Sequence, residues 1–242
     1  MWFGPFGQER AILGIHQLPD SRRAILAALK RQGSATISRL ADELQLTGEA
    51  VRQQLLQLQR DGWIESKIDR VAHERGRTGR PATTYSLTEA GDHLFPKSYD
   101  ALGVAMIDAM ESELGPEAMT RVLGRVCDDR VAQIAPAIRG LPLSDRVDAL
   151  RSLYIFQDPY METERTEDGF LLIERNCPFY NVAMRRPSVC SVSVNALTRL
   201  LGVRVVREER FQDGDGRCVF RIYANEPVDV QGWQFKPETE ST

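Results

Sequence analysis

The sequence predicts a mixed α+β protein, with a helical N-terminal domain that ends in a β-hairpin and a small C-terminal α+β domain. Three observations lead to this fold class. Apolar residues recur at helical spacing between residues 36 and 58, and two strand-like segments follow them. Residues 97–157 are again helical in pattern, with interruptions at prolines. Beyond residue 158 the patterns predict two hairpins, residues 161–175 and 203–223. A helix at about residues 192–201, ending at Gly202, is predicted between them.

Residues 36–58 have the pattern of two helices joined by a tight turn. Thr36 and Thr47 stand where N-caps are expected, because a hydroxyl can accept a hydrogen bond from a free N–H of the first turn. The apolar positions of each helix share one face: Ile37, Leu40, Ala41 and Leu44 in the first, and Val51, Leu55 and Leu58 in the second. We expect these two stripes to bury against each other.

The opposite face of the second helix is polar and suits contact with nucleic acid. Long polar side chains reach base edges and phosphates when a helix lies in the major groove of double-stranded DNA. We expect four residues to make such contacts: Thr47, Glu49, Arg52 and Gln53.

A basic hairpin is predicted after these helices. Its strands are residues 63–68 and 82–87, and the loop between them carries Arg75, Arg77 and Arg80. Such a loop can approach the phosphate backbone or the minor groove. A helix–turn–helix outline or a basic loop is common by itself. The order helix, turn, helix and basic hairpin is much more specific for a winged DNA-binding domain.

An earlier helix is predicted to support these two. It begins at Asp20 or Ser21, runs to about Arg31 and ends at Gly33. Residues 1–19 are apolar in places but aperiodic, and we interpret them as an N-terminal arm.

The charge of the chain is unevenly distributed. The net charge is −3, yet residues 20–95 carry a balance of +2 and the remainder carries −5. A basic DNA-binding domain on an acidic body is typical of a regulator rather than of a general nucleic-acid coating protein. No apolar run approaches the ~20 residues that span a bilayer, and no signal-peptide pattern opens the sequence. We therefore expect a cytoplasmic protein without a membrane partner.

Helices are predicted at residues 97–114, 116–135 and 143–157, with a break before each proline, Pro116, Pro136 and Pro142. The first has a continuous apolar stripe, formed by Leu102, Ala105, Met106, Ala109 and Met110. Such a helix beside a DNA-binding domain is a natural contact between two copies of the chain, because such domains commonly bind paired half-sites. The alternative is that the stripe packs only within its own chain.

Three of the four cysteines fall in the last third of the chain. Twelve residues separate Cys177 from Cys190, and twenty-seven separate Cys190 from Cys218. Three thiolates gathered without a metal would repel one another or oxidise, and a bound cation removes both problems. Zinc ligands usually occur in closely spaced pairs, which this spacing lacks. An iron–sulfur cluster fits better, and three unrelated buried cysteines are the alternative.

The N-terminal region resembles the ArsR-like group of winged helix–turn–helix bacterial repressors. The strongest match is GRPATTYSLTEAG at residues 79–91, with further matches at residues 21–26, 40–41 and 47–58. The resemblance implies binding to an operator in double-stranded DNA.

The C-terminal region is similar to the cluster domain of SufR-type iron–sulfur repressors. The matching features are ERNCPF at residues 174–179, Cys190, LLGV at residues 200–203 and GDGRCVFRI at residues 214–222. The resemblance implies a homodimer on DNA and an iron–sulfur cluster, of the [4Fe-4S] type, held by Cys177, Cys190 and Cys218.

One departure from this family concerns the fourth ligand of the cluster. The sequence has no cysteine between Cys190 and Cys218 that would complete the set, and its histidines all lie at or before residue 93. The candidates for the fourth position are Glu208, Glu209, Cys127 or a small molecule. Cys127 shares a helix face with apolar residues, so burial in the core is its more ordinary role.

These features divide the chain into five regions. They are an arm at residues 1–19, a winged helix–turn–helix domain at 20–95, a helical dimerisation region at 96–157, an α+β iron–sulfur sensor domain at 158–225, and an extended, weakly ordered tail at 226–242.

Two other functions were open at the level of the sequence. A winged-helix regulator that senses a small organic effector or zinc, with structural cysteines, keeps the DNA-binding domain and replaces the sensor. Catalysis is disfavoured, because the sequence contains no Ser/His/Asp set, no phosphate-binding glycine loop and no zinc-hydrolase motif.

Overall fold

The computed structural model describes residues 14–68, 82–154 and 157–238. The chain divides into two compact units, Met1–Lys97 and Ser98–Thr242. The mixed α+β class predicted from the sequence is confirmed, since three helices and a hairpin form the first unit and helices cover a small sheet in the second.

The described part of the first unit is built from three main helices, a fourth short helix and a three-stranded antiparallel sheet. Its elements in chain order are α1 (Asp20–Gln32), β1 (Ser34–Thr36), α2 (Ile37–Leu44), α3 (Gly48–Arg60), β2 (Ile64–Ile68), β3 (Thr83–Leu87) and the short α4 (Glu89–His93). The strand order is β1–β3–β2. The stripes predicted on α2 and α3 enter one core, in which Leu40, Val51, Leu55 and Leu58 are fully buried.

Side-chain caps fix the helix–turn–helix as the sequence predicted. The Thr36 hydroxyl accepts a hydrogen bond from the Arg39 N–H at 3.3 Å, and the Thr47 hydroxyl accepts one from the Ala50 N–H at 3.2 Å. Between them Gln45 adopts a left-handed conformation with φ of 54°, which turns the chain. The strand β1 was not predicted, because its three residues gain stability only by pairing with β3 far along the sequence.

The second unit places helices against a four-stranded antiparallel sheet. Its elements are α5 (Tyr99–Ile138), α6 (Leu143–Tyr154), β4 (Glu162–Arg165), β5 (Gly169–Glu174), α7 (Tyr180–Ala183), α8 (Ser191–Leu201), β6 (Val203–Glu209) and β7 (Cys218–Pro227). The strand order is β4–β5–β7–β6. Both predicted hairpins are present, and α8 ends at Gly202 in the left-handed conformation, as predicted.

The long helix α5 differs in part from the sequence prediction. The break at Gly115 is confirmed, since its φ of 77° and ψ of 170° are not helical. The break at Pro136 was wrong, because α5 continues through it to Ile138. Pro136 lies close to the C-terminal end of α5, and burial of Ile138 in the core holds the last turn in place.

The C-terminal segment also differs from the expected loose tail. Residues 226–227 continue β7, and residues 233–238 make specific hydrogen bonds to α8. Across the ranges that the structure describes, no helix has both the length and the apolar character needed to cross a membrane.

Gly91 brings α4 against the base of the β2–β3 hairpin. A β-carbon at this position would lie 1.9 Å from the carbonyl oxygen of Trp63. That carbonyl accepts a hydrogen bond from the Thr88 N–H at 3.0 Å, and the Thr88 hydroxyl donates to the Gly62 carbonyl at 2.7 Å. The hairpin is therefore fixed to α4 by contacts that have no space for a side chain.

We predict that Gly91→Ala lowers the free energy of unfolding of the first unit by about 1–3 kcal/mol, because the backbone of the hairpin must move. Gly48→Ala is the matched control, since its β-carbon would meet only the Ile37 methyl at 3.7 Å. The measurement is denaturant unfolding followed by circular dichroism. Equal unfolding midpoints for the two variants would contradict the predicted close approach.

Candidate nucleic-acid interface and cysteine cavity

The exposed face of α3 carries the residues that the sequence assigned to DNA. Glu49, Arg52 and Gln53 are exposed, and Thr47 is exposed at the N-cap. Arg52 lies 3.6 Å from Glu49 in an ion pair one turn apart. Because exposed pairs contribute little to stability, Arg52 can exchange this partner for a guanine edge or a phosphate at small cost.

Leu56 is a further residue of this face that the sequence reasoning missed. It is 50% exposed and follows Arg52 by one helical turn. An exposed leucine on a polar DNA-facing surface can contact the methyl group of thymine. The sequence contained a signal for this exposure. Leu56 does not share the helical spacing of Val51, Leu55 and Leu58, which are buried, so it falls on another face of the helix.

The basic tip of the hairpin lies outside the described residues. Arg75, Arg77 and Arg80 belong to residues 69–81, so their assignment to DNA remains a prediction from the sequence. The strands that carry the tip, β2 and β3, are paired from Ile64 with Leu87 to Ile68 with Thr83.

Cys177, Cys190 and Cys218 line one cavity in the second unit. The cavity has a volume of about 270 Å³. Polar side chains that line it with the cysteines include Arg130, Glu174, Arg207 and Gln212. The remaining lining is mostly apolar and comes from α5, α7 and α8, including Ile107, Met110, Met119, Leu123 and Val192. The chain thus brings together three thiols that are far apart in sequence.

Cys177 lies in a turn that a buried carboxylate organises. The Asp158 carboxylate is 1% exposed and accepts hydrogen bonds from the backbone N–H groups of Arg175 at 2.6 Å and Asn176 at 3.0 Å. A buried carboxylate is stable when such donors surround it. Asp158 therefore sets the path of the chain from the end of β5 into Cys177.

Cys190 and Cys218 are held by the ends of regular elements. Cys190 stands at the N-terminus of α8, and Cys218 is the first residue of β7. The Gln212 side-chain amide donates to the Cys190 sulfur at 3.0 Å and to the Ala183 carbonyl at 3.2 Å. Gln212 thereby ties the Cys190 thiol to the helix α7.

The Arg207 guanidinium connects two of the cysteines. It donates to the Cys218 sulfur at 3.2 Å and to the Cys190 carbonyl at 2.9 Å, and it pairs with the Glu238 carboxylate at 3.2 Å. Its side chain is only 3% exposed. The sequence contained a signal for the burial of Arg207. In a strand every second side chain lies on the same face, so Arg207 shares a face with the buried Val203 and Val205.

Burial controls the protonation of the groups in the cavity. It raises the pKa of the Cys190 and Cys218 thiols, and burial together with the nearby Glu174 charge raises the pKa of Cys177 to about 12. Burial also raises the pKa of Glu174 to about 7, against the opposing effect of Arg207 and Arg130. Burial therefore favours the neutral thiol over the thiolate at all three positions.

The three protein groups that the sequence offered as a fourth ligand lie elsewhere. Cys127 is buried in the apolar cluster of Met119 and Leu123, with its sulfur 3.9 Å from Arg199. The carboxylate of Glu208 pairs with Arg221, and that of Glu209 pairs with Arg217. None of the three lines the cavity.

The arrangement of the thiols does not form a site for a single metal ion. Within residues 14–68, 82–154 and 157–238, no three His, Cys, Asp or Glu side chains converge closely enough to hold one ion. The cysteines of an iron–sulfur cluster each bind a different iron atom, so they need to surround one volume rather than meet at one point. The three cysteines line one cavity.

The segment 233–238 closes against α8 through one buried amide. The Asn195 carbonyl oxygen accepts from the Trp233 indole N–H at 3.1 Å and from the Lys236 backbone N–H at 3.0 Å, while its NH₂ donates to the Lys236 and Ser191 carbonyls at 2.8 Å. The hydrogen bonds of this segment to α8 place the Glu238 carboxylate beside the Arg207 guanidinium.

The comparison with protein families identifies a DNA-binding domain in the first unit. The family model described as winged helix-turn-helix DNA-binding matches residues 18–65. No curated protein and no solved structure matches the chain. The chain carries a winged helix–turn–helix DNA-binding domain, which supports a DNA-binding transcriptional regulator rather than an enzyme.

We predict that Asn195→Ala releases the C-terminal segment, because its backbone and the Trp233 indole lose their buried partners. The free energy of unfolding of the second unit should fall by about 1–3 kcal/mol, and limited proteolysis should cut the segment faster. Asn225→Ala, at an exposed position of β7, is the control. Identical proteolysis of both variants would show that Asn195 does not hold the segment.

Proposed function

We propose that the protein is a homodimeric transcriptional repressor whose second unit holds an iron–sulfur cluster, of the [4Fe-4S] type, and senses redox or iron–sulfur status. The observation that carries this proposal is the cavity that Cys177, Cys190 and Cys218 share in a chain with a winged DNA-binding domain. Double-stranded operator DNA is the proposed partner of that domain.

The residues around the cavity fit such a cluster. Three cysteine side chains surround one volume, and the Arg207 and Arg130 cations also line it. Thiolates bound to iron carry more negative charge than the iron–sulfur core offsets, so nearby cations stabilise the assembly. When bound, the cluster would supply one-electron chemistry and sensitivity to oxidants.

Hydrogen bonds to the sulfur atoms suit this role. Arg207 donates to the Cys218 sulfur and Gln212 donates to the Cys190 sulfur. Donors of this kind set the reduction potential of a sulfur-ligated centre and orient its ligands. These two residues are the ones we expect to tune the response of the sensor.

A mechanical connection runs from the cysteines to helix α5. Arg186, four residues before Cys190, forms a two-pronged ion pair with Asp108 of α5. Ile107 and Met110 of the same helix line the cavity. A change in what occupies the cavity would therefore act on α5 through both a salt bridge and direct packing.

The other face of α5 is suited to a second copy of the chain. Leu102 and Met106 are 59% and 56% exposed, and Ala105 and Ala109 are exposed beside them. An exposed apolar stripe of this length is typical of an association surface. Met110 of the predicted stripe lines the cavity instead, so a dimer formed there would place the cavity and the dimer contact on neighbouring faces of one helix.

A second candidate function follows from the apolar lining of the cavity. Methionine, valine, leucine and isoleucine side chains form most of its wall, and such walls are typical of sites for small organic molecules. On this reading the protein is a winged-helix regulator of an organic effector, and the cysteines pack as core residues.

We predict that Arg52→Ala weakens operator binding by about 1–3 kcal/mol and relaxes base preference at one position, because a base-reading side chain is lost. Arg77→Ala should weaken binding to all DNA sequences by a similar factor and reduce the slope of log affinity against log salt concentration by about 1. Arg125→Ala, an exposed arginine of α5, is the control. The measurement is fluorescence anisotropy over a salt series, with the number of chains per operator from sedimentation.

Two results would contradict these assignments. Unchanged base preference in Arg52→Ala would remove this residue from the reading face, and equal salt slopes for wild type and Arg77→Ala would remove the loop arginine from the phosphate contacts. One chain per operator would contradict the dimer.

We predict that protein purified without oxygen is brown and contains about four iron and four sulfide per chain. Cys177→Ser, Cys190→Ser and Cys218→Ser should each lose most of this iron and change operator affinity, whereas Cys127→Ala should retain it because Cys127 lies outside the cavity. The measurements are visible absorbance, iron and sulfide analysis, and anisotropy. A colourless protein with a stoichiometric organic ligand would instead establish the second candidate.

A further inference from the structure

The register of the sheet places an acidic side chain directly beside one of the cysteines. Glu174, the last residue of β5, is the cross-strand partner of Cys218, the first residue of β7. Opposed residues of an antiparallel pair project to the same face, with β-carbons about 4.5–5.5 Å apart. Glu174 also precedes Cys177 by three residues, so its position is fixed relative to two of the three thiols.

The Glu174 carboxylate points into the cavity without a committed partner. It lines the same volume as the three cysteines and makes no hydrogen bond or ion pair with any residue that the structure describes. Four of the five other acidic residues in the strands of this sheet are paired: Glu162 with Arg175, Glu208 with Arg221, Glu209 with Arg217 and Glu226 with Arg204. A half-buried carboxylate without a donor is costly to keep charged, and a cation in the cavity would supply what it lacks.

The two cations near Glu174 have other bonds. The Arg207 guanidinium binds the Cys218 sulfur, the Cys190 carbonyl and Glu238, and the Arg130 guanidinium donates to the Tyr154 hydroxyl at 2.9 Å. They lower the cost of a charge at Glu174 through space, without forming an ion pair with it. The carboxylate oxygens remain available for a metal.

We infer that Glu174 is the fourth protein ligand of the cluster, completing a set with Cys177, Cys190 and Cys218. This inference rests on the proposed function. It replaces the candidates from the sequence, because Glu208 and Glu209 are engaged in ion pairs and Cys127 lies outside the cavity. In this assignment a carboxylate oxygen donates a lone pair to the one iron that no thiolate binds.

The chemistry of this ligand suits a sensor. A carboxylate is a hard oxygen donor that binds iron in a sulfur cluster less tightly than a soft thiolate does. One iron would then be released more readily than the other three. The difference predicts that changes at Glu174 act on that single iron, whereas changes at any cysteine remove the whole cluster.

The test uses the full chain reconstituted without oxygen with ferrous iron and sulfide alone. The variants are Glu174→Gln, which keeps the shape of the side chain, and Glu174→Cys, which supplies a fourth thiolate. Glu208→Gln is the matched control, since it removes an acid from the same sheet away from the cavity. The readouts are the rate at which a chelator removes the first iron, the electron paramagnetic resonance spectrum after mild oxidation, and the unfolding midpoint of the iron-free protein.

We expect Glu174→Gln to lose the first iron at least about tenfold faster than wild type. It should also give the spectrum of a three-iron cluster at a lower oxidant concentration than wild type does. Glu174→Cys should lose that iron more slowly than wild type, and Glu208→Gln should match wild type. If Glu174→Gln and wild type give the same spectrum and the same rate of iron loss, Glu174 is not a ligand.

The result also separates this inference from the proposal beneath it. A wild-type protein that takes up neither iron nor sulfide overturns the proposed cluster. A wild-type protein that holds four iron, loses them in the cysteine variants and is indifferent to Glu174→Gln keeps the cluster and overturns only the ligand. A shift of the iron-free unfolding midpoint in Glu174→Gln, with unchanged iron release, makes Glu174 a counter-charge for Arg207 and also overturns the inference.

Discussion

The buried guanidinium of Arg207 is the interaction on which the second unit depends. A cation removed from water is stable only when its donors find acceptors. Here those acceptors are the Cys218 sulfur, the Cys190 carbonyl and the Glu238 carboxylate. Because one planar group binds all three, the start of α8, the start of β7 and the C-terminal segment are fixed at one point. The cavity with the three cysteines opens at that point.

In the proposed sensor, helix α5 would connect the contents of that cavity to the surface of the second unit. Its inner face, with Ile107 and Met110, lines the cavity, and its outer face carries the exposed Leu102 and Met106. The Asp108–Arg186 ion pair ties the same turns to the segment that ends at Cys190. A helix is stiff along its length, so a shift on one face moves the other. A sensor that acts by changing how two copies associate needs this kind of element.

Local chemistry explains which parts of the fold could be predicted from the sequence. The caps at Thr36 and Thr47 and the end of α8 at Gly202 depend on residues within one turn, so their patterns sufficed. The three cysteines were singled out as candidate ligands by residue type and by resemblance. Glu174 was not, because its role depends on the register of β5 against β7, which short sequence patterns do not encode. The docking of residues 233–238 on Asn195 was missed for the same reason, since the partners are about forty residues apart.

The composition of the proposed ligand set has a consequence for how the protein would respond. Electron carriers hold their clusters with four soft thiolates, which favours retention of every iron through many cycles. Three thiolates and one carboxylate favour loss of one iron. The access route is consistent with this difference, because Phe179, Tyr180 and Met184 line the cavity and are also 50%, 45% and 41% exposed. Small oxidants would therefore have a route into the cavity, and a change in what the cavity holds would reach α5 through Ile107 and Met110.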